Sequence, residues 1–172
     1  MHEMTARQPK RVLLVEDDDT FALITTRMLE LQDPNAPKYG AREEDHPANT
    51  HESKCIYGQW VVTVAGTLAT ASDLLHHNEF DIVLCDLILP DGQREDVIRI
   101  VSEARPELPI VVQSGIADGQ MVQRMLLDGS VADYIVKGDI TGSKALKQRL
   151  CHAIDRWHLM RDVDSVVSRC CA

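Results

Sequence analysis

Short apolar runs alternate along the chain with longer segments whose apolar residues recur every three or four positions. The runs are Val12–Val15, Trp60–Val64, Ile82–Cys85, Ile110–Gln113 and Ala132–Val136. Runs this short and this apolar predict strands covered on both faces. Amphipathic helices are predicted between them, over about Thr20–Leu31, Leu68–His77, Arg94–Ala104 and Gly119–Asp128, with a last one starting near Ser143. In the first, Phe21, Ile24, Met28 and Leu31 form the expected inward stripe. Thr67 is a candidate N-cap, Pro106 follows the end of the third helix and Gly129 the end of the fourth. Strand and helix in strict alternation predict an α/β domain built on a parallel sheet.

Two stretches depart from this rhythm. Residues 32–58 hold Pro34, Pro37, Pro47 and the acidic run Glu43-Glu44-Asp45. A connection in such a unit usually takes ~2–6 residues, so this one is expected to be an insertion, poorly ordered or partly folded. The second stretch is Ser143–Arg169, where Leu146, Leu150, Ile154, Trp157 and Met160 keep helical spacing. One helix over that length reaches ~40 Å, more than one sheet needs for cover.

Charge narrows the function classes. Acidic side chains number 27 against 18 basic, a net charge of −9, which disfavours a nucleic-acid partner for the whole molecule. No apolar run approaches the ~18 residues that cross a bilayer. The N-terminus has no apolar core of the signal-peptide kind, and the chain is expected in the cytoplasm. Cys55, Cys85, Cys151, Cys170 and Cys171 show no C-x-x-C spacing, and reduced thiols are the simplest expectation.

The candidate chemistry lies where strands end. The first strand runs into Glu16-Asp17-Asp18-Asp19, and the third into Asp86 followed by Leu87-Ile88-Leu89-Pro90-Asp91-Gly92. In an open α/β sheet, ligands collect beyond the carboxyl ends of the strands. Three carboxylates within ~5 Å there would repel by ~3 kcal/mol per pair at an effective dielectric near 20. A hard divalent cation relieves that repulsion, and oxygen ligands with room for water favour Mg²⁺. The fourth strand ends in Gln113-Ser114-Gly115 and the fifth in Tyr134-Ile135-Val136-Lys137. A carboxylate nucleophile, a cation, a hydroxyl donor and an ammonium around one point suit phosphoryl transfer to aspartate.

Val-Glu-Asp-Asp, Asp-Leu-Ile-Leu-Pro-Asp-Gly, Ser-Gly and Tyr-Ile-Val-Lys, in this order, resemble the receiver domain of two-component response regulators, the CheY-like superfamily. The resemblance covers about residues 11–157 apart from the insertion, with 1–10 as a tail and 158–172 as a helical extension. It implies a (βα)5 doubly wound five-stranded parallel sheet in the order 2-1-3-4-5. It further implies that Asp86 is the phosphoacceptor, and that Glu16, Asp17, Asp86 and the backbone carbonyl of Ile88 hold Mg²⁺. Lys137 would contact the acyl phosphate, Ser114 would move toward it, and Tyr134 would be the aromatic switch residue. The implied partners are a histidine kinase or histidine phosphotransfer protein and a downstream effector protein reached through the face of helix 4, strand 5 and helix 5. Homodimerisation through the last helix is also expected. Two alternatives stay open on the residues alone. One is a receiver-like scaffold that is never phosphorylated. The other is an aspartate-nucleophile phosphatase of the haloacid dehalogenase type, which looks like Asp-x-Asp where this chain has Ile88.

Departures from the family pattern carry their own expectations. Gly138 stands where the family usually has proline after the lysine, making the loop that follows more mobile. Ile88 and Ile116, two residues beyond Asp86 and Ser114, offer no polar side chain to orient water. The phosphoryl group should therefore be lost slowly once acetyl phosphate is removed, and a half-life of seconds would contradict this.

Overall fold

Each strand sends alternate side chains to opposite sides of the sheet, and both sides are apolar. In the computed structural model, Val12 and Leu14 of β1 (Lys10–Val15) face one cluster while Leu13 and Val15 face the other. The structure describes residues 8–32, 58–92, 94–115, 119–139 and 142–170, with 94–95, 119–122 and 164–170 described by their backbone alone. The insertion, with the exception of Gln32 and Gly58, lies outside the described residues.

The elements follow in strict alternation: α1 (Asp19–Glu30), β2 (Trp60–Ala65), α2 (Leu68–His77), β3 (Ile82–Cys85), α3 (Arg94–Ala104), β4 (Ile110–Ser114), α4 (Gly119–Leu127), β5 (Asp133–Val136) and α5 (Ser143–Cys170). The five parallel strands stand in the order β2-β1-β3-β4-β5. On one side, Val12, Leu14, Ile82, Leu84, Val111 and Ile135 pack against α1 and the first half of α5. On the other, Leu13, Val15, Val83, Cys85, Ile110 and Val112 pack against α2, α3 and α4. This is the doubly wound (βα)5 sheet that the resemblance implies.

The inward stripe of α1 differs from expectation. Ala22, Thr25 and Leu29 are buried, Phe21 and Met28 are half-buried, and Ile24 and Leu31 are exposed. Small Ala22 and Thr25 let the helix approach the sheet closely, which turns the bulkier Ile24 outward. The C-terminus of α1 is tied to α5 by two side chains. Lys147, itself buried, donates from Nζ to the Leu31 carbonyl at 2.6 Å, and the Ser143 hydroxyl donates to the Met28 carbonyl. Both place donors on the orphan carbonyls of a helix end.

The last helix has two characters. Leu146, Leu150, Cys151, Ala153 and Ile154 are buried. The Trp157 Nε1–H then donates to the Glu107 carbonyl at 3.0 Å, and the Arg161 guanidinium to the Pro106 carbonyl at 2.7 Å. Leu159, Met160 and Val163 are exposed, so the apolar stripe read from the sequence is buried only as far as Ile154, with Trp157 half-covered. Arg149 holds the helix to β5, pairing with both oxygens of Asp133 at 2.6 and 3.0 Å and with the Tyr134 carbonyl at 2.9 Å.

Cys85 is a free, fully buried thiol, whereas Cys151, also fully buried, is disulfide-bonded. The expectation of reduced thiols throughout is corrected there, because spacing along a chain does not show which sulfurs meet in space. Among the described residues, no helix is long and apolar enough to cross a membrane.

Truncating Leu150→Ala, at the buried half of α5, should cost about 2–5 kcal/mol in urea unfolding. Leu159→Ala, on the exposed half, should change stability by less than about 0.5 kcal/mol.

Candidate functional site

The register of the sheet builds the site. Val15 of β1 stands opposite Cys85 of β3, so the next residues, Glu16 and Asp86, leave the sheet side by side. Their amides are still held by it: Glu16 N–H donates to the Ala65 carbonyl and Asp86 N–H to the Val15 carbonyl, both at 2.9 Å. On the far side of β3, Ser114 of β4 stands opposite Val136 of β5, and the Lys137 amide donates to the Ser114 carbonyl at 2.9 Å. Three adjacent strand ends, with β5 beyond them, thus deliver Glu16, Asp86, Ser114 and Lys137 to one edge of the sheet.

Lys137 bridges the two buried carboxylates. Its Nζ lies 2.6 Å from Glu16 Oε2 and 2.6 Å from Asp86 Oδ2. The remaining oxygens are held by backbone: Asp18 N–H donates to Glu16 Oε1 at 3.2 Å, and Ile88 N–H to Asp86 Oδ1 at 3.0 Å. Glu16 is only 2% exposed and Asp86 8%. Asp17 is exposed, and the three residues each present an oxygen within 4.8 Å of the others. The rest of the acidic run has a different task. Asp18 is the N-cap of α1, accepting from Phe21 N–H at 2.9 Å, and Asp19 lies in the first turn, where a negative charge suits the helix dipole.

Electrostatics at the site follow from burial and this bridge. Burial raises the pKa of Glu16 above the ordinary carboxylate value; the Lys137 ammonium opposes that rise and the Asp86 charge adds to it. For Lys137, burial works against the charged form, but its bonds to Asp86 and Glu16 outweigh it and hold the pKa above the usual lysine value. Behind Asp86, burial and then the aspartate's charge push the Cys85 thiol up to about 12. Cys85 is thereby an inert core residue at neutral pH.

Ser114 is buried at the end of β4, and Tyr134, half-buried on β5, packs against the core shared with α2–α4. The Ile88 side chain is 51% exposed while its amide is held by Asp86. Ile116 lies outside the described residues. Gly138 has φ +97°, a conformation closed to proline, whose ring fixes φ near −65°.

Two residues at the site escaped the sequence reading. The Phe21 ring lies with its centroid 4.3 Å from Lys137 Nζ, a cation–π contact. Asp91 accepts from the Leu68 and Ala69 amides at 2.8 and 3.1 Å, pinning the loop after Asp86 to the N-terminus of α2. Those two bonds hold the Asp91 carboxyl below its ordinary pKa. The visible signal for Asp91 was its place in the Pro-Asp-Gly turn; for Phe21 there was none, since the contact crosses 116 positions of chain.

The donor set is all carboxylate oxygen, with one exposed member that leaves room for water. That chemistry fits a hard divalent cation.

Known proteins agree with this architecture. The model of the response regulator receiver domain matches residues 43–150; the match starts after β1, whose place in the sheet comes from the structure. Among solved structures, the signal receiver domain of an HD domain-containing protein from Pseudomonas fluorescens Pf-5 is similar, with TM-score 0.64, 16% identity, and 94% of this chain and 98% of that one covered. A CheY-like response regulator receiver domain protein from Methanospirillum hungatei JF-1 has TM-score 0.63 and 19% identity over 89% of this chain and 99% of that one. The receiver domain of a sensor histidine kinase from Pseudomonas aeruginosa PAO1, solved with a magnesium ion coordinated in its active-site cleft, has TM-score 0.57 and 19% identity over 87% and 98%. Among curated protein sequences none matches. With its fold, its strand-end chemistry and a family match over well more than half its length, the chain belongs to the response regulator receiver domain family.

Proposed function

We propose that this receiver is a phosphoryl-accepting signalling switch that uses Asp86, and that it extends over residues 11–157. The observation that carries the reading is the Asp86 carboxylate, bonded to the Lys137 ammonium and grouped with the oxygens of Glu16 and Asp17. An Asp86 oxygen attacks the phosphorus of a phosphohistidine on a kinase or phosphotransfer protein. The O–P bond forms, the P–N bond breaks, and the departing imidazole takes a proton from solvent. Little covalent work falls to the protein, so positioning and charge neutralisation dominate. Ile88 N–H fixes the carboxylate plane through Oδ1, and Lys137 follows the negative charge from the carboxylate to a phosphoryl oxygen. Glu16, Asp17, Asp86 and the Ile88 carbonyl would hold Mg²⁺. Bound there, the ion neutralises charge on the phosphoryl group. The ion in the active-site cleft of the similar Pseudomonas aeruginosa receiver supports this assignment.

Ser114 then turns its hydroxyl to the phosphoryl group, and Tyr134, partly buried here, moves further inward. Such a shift between two packings changes the face of α4, β5 and α5 that meets an effector protein. Exposed Leu159, Met160 and Val163 supply the contact for a second copy. A histidine-kinase partner places the chain in the cytoplasm. The chain then acts as a switch, with no turnover of its own beyond taking up and slowly losing the phosphoryl group.

Incubation with acetyl phosphate and Mg²⁺ should add one phosphoryl mass to the intact chain, and Asp86→Asn should abolish it. Steady release of phosphate from esters would instead indicate a phosphatase, and inertness a scaffold.

Glu16 gives a test through stability. Its raised pKa means the folded chain holds the proton more readily than the unfolded chain. That contribution favours folding in acid and is lost as pH rises through the raised value. At pH 7.5 in EDTA, Glu16→Gln should therefore stabilise the chain, read as a rise in Tm in a thermal melt. Mg²⁺ should raise the Tm of the unchanged chain and leave that of Glu16→Gln nearly where it was.

A further inference from the structure

Beside the acidic site, between α1 and the start of α5, lies a cavity of about 180 Å³. Phe21, Ile24 and Met28 of α1, Val136 of β5 and Leu146 of α5 give it apolar walls. Two lining residues are polar, Thr25 of α1 and Gln113. Gln113 of β4 lines the cavity and is only 6% exposed, yet its Oε1 accepts no hydrogen bond. A buried amide oxygen without a donor is costly and uncommon, and nothing in the sheet requires an amide here: the neighbouring inward positions on this side are Val111 and Ile135.

Gly138 also lines the cavity, and an added Cβ there would meet nothing within 4 Å. At φ +97° side chains other than hydrogen are strained, so the backbone itself favours the gap. Cavities of comparable size, ~150 Å³ with Leu, Ile and Phe walls, take up benzene. This one differs by offering a single unpaired acceptor.

We propose that the cavity between α1 and α5 is a binding site for a small, uncharged aromatic molecule, whose ring packs against Phe21, Ile24, Met28 and Leu146 and whose one N–H or O–H donates to Gln113 Oε1. The terminal torsion of glutamine is soft, so a small rotation turns the oxygen into the cavity. The ammonium of Lys137 lies over the Phe21 ring and is engaged by two carboxylates, and no charged residue lines the cavity. The cavity itself therefore presents no charge to match, and a neutral ligand is preferred. The proposal does not depend on phosphorylation of Asp86; it depends on the cavity and the orphan acceptor alone.

Indole and indene separate the two parts of the idea, because they share size and shape and differ in the N–H. Each is titrated into the ¹⁵N-labelled full chain, followed by amide resonances that include the side-chain NH₂ of Gln113. Indole should bind saturably, about fivefold tighter than indene, the factor expected for one net hydrogen bond. In Gln113→Leu the two should bind alike. Ile24→Trp, whose larger side chain fills the cavity from an exposed position, should remove both. Should either variant fail to fold, the indole-to-indene ratio in the unchanged chain still decides. The absence of saturable indole binding, equal affinities in the unchanged chain, or binding undiminished in folded Ile24→Trp overturns the proposal.

Discussion

One ammonium between two buried carboxylates organises this protein's functional edge. Parallel strands in register force Glu16 and Asp86 together, since Val15 and Cys85 stand opposite one another. Two like charges in that position, with Asp17 nearby, would push the strand ends apart. Lys137 answers this from the end of β5, bonding both at 2.6 Å. It reaches them only because β4 and β5 are themselves in register, so the site's charge balance is a consequence of the sheet order.

The same arrangement leaves the site able to change. Lys137 neutralises part of the negative charge, and Glu16 stays uneasy as a buried anion, with its pKa raised by burial. Surplus negative charge and an exposed carboxylate suit a hard divalent cation. The loop that carries Asp86 is held at a distance by Asp91 on the N-terminus of α2. The lysine's other neighbour, Phe21, also lines the cavity beside α1.

Much of the architecture was legible in the chain. The apolar runs gave strand positions to within a residue or two, Thr67 caps α2 and accepts from Thr70 N–H, and Gly129 follows α4 with φ +74°. Local periodicity and turn chemistry suffice for these, because each is decided by residues close in sequence. The inward face of α1 is not the one that its large apolar residues predict. Close packing on the sheet selected Ala22 and Thr25 instead, and left Ile24 at the rim of a cavity. The last helix was expected to continue its stripe to Met160, but the covering surface ends near Trp157.

By itself, then, the sequence determined the alternation of strand and helix, the apolar character of both sheet faces, and the residue types waiting at each strand end. These depend on period, order and composition. Tertiary structure alone decided that Lys137 spans Glu16 and Asp86, that Phe21 lies against it, that Cys151 is bonded while Cys85 is free, and that the Gln113 oxygen faces no donor. Each of these depends on a distance of a few ångströms between groups far apart in the chain, and no local pattern carries that distance.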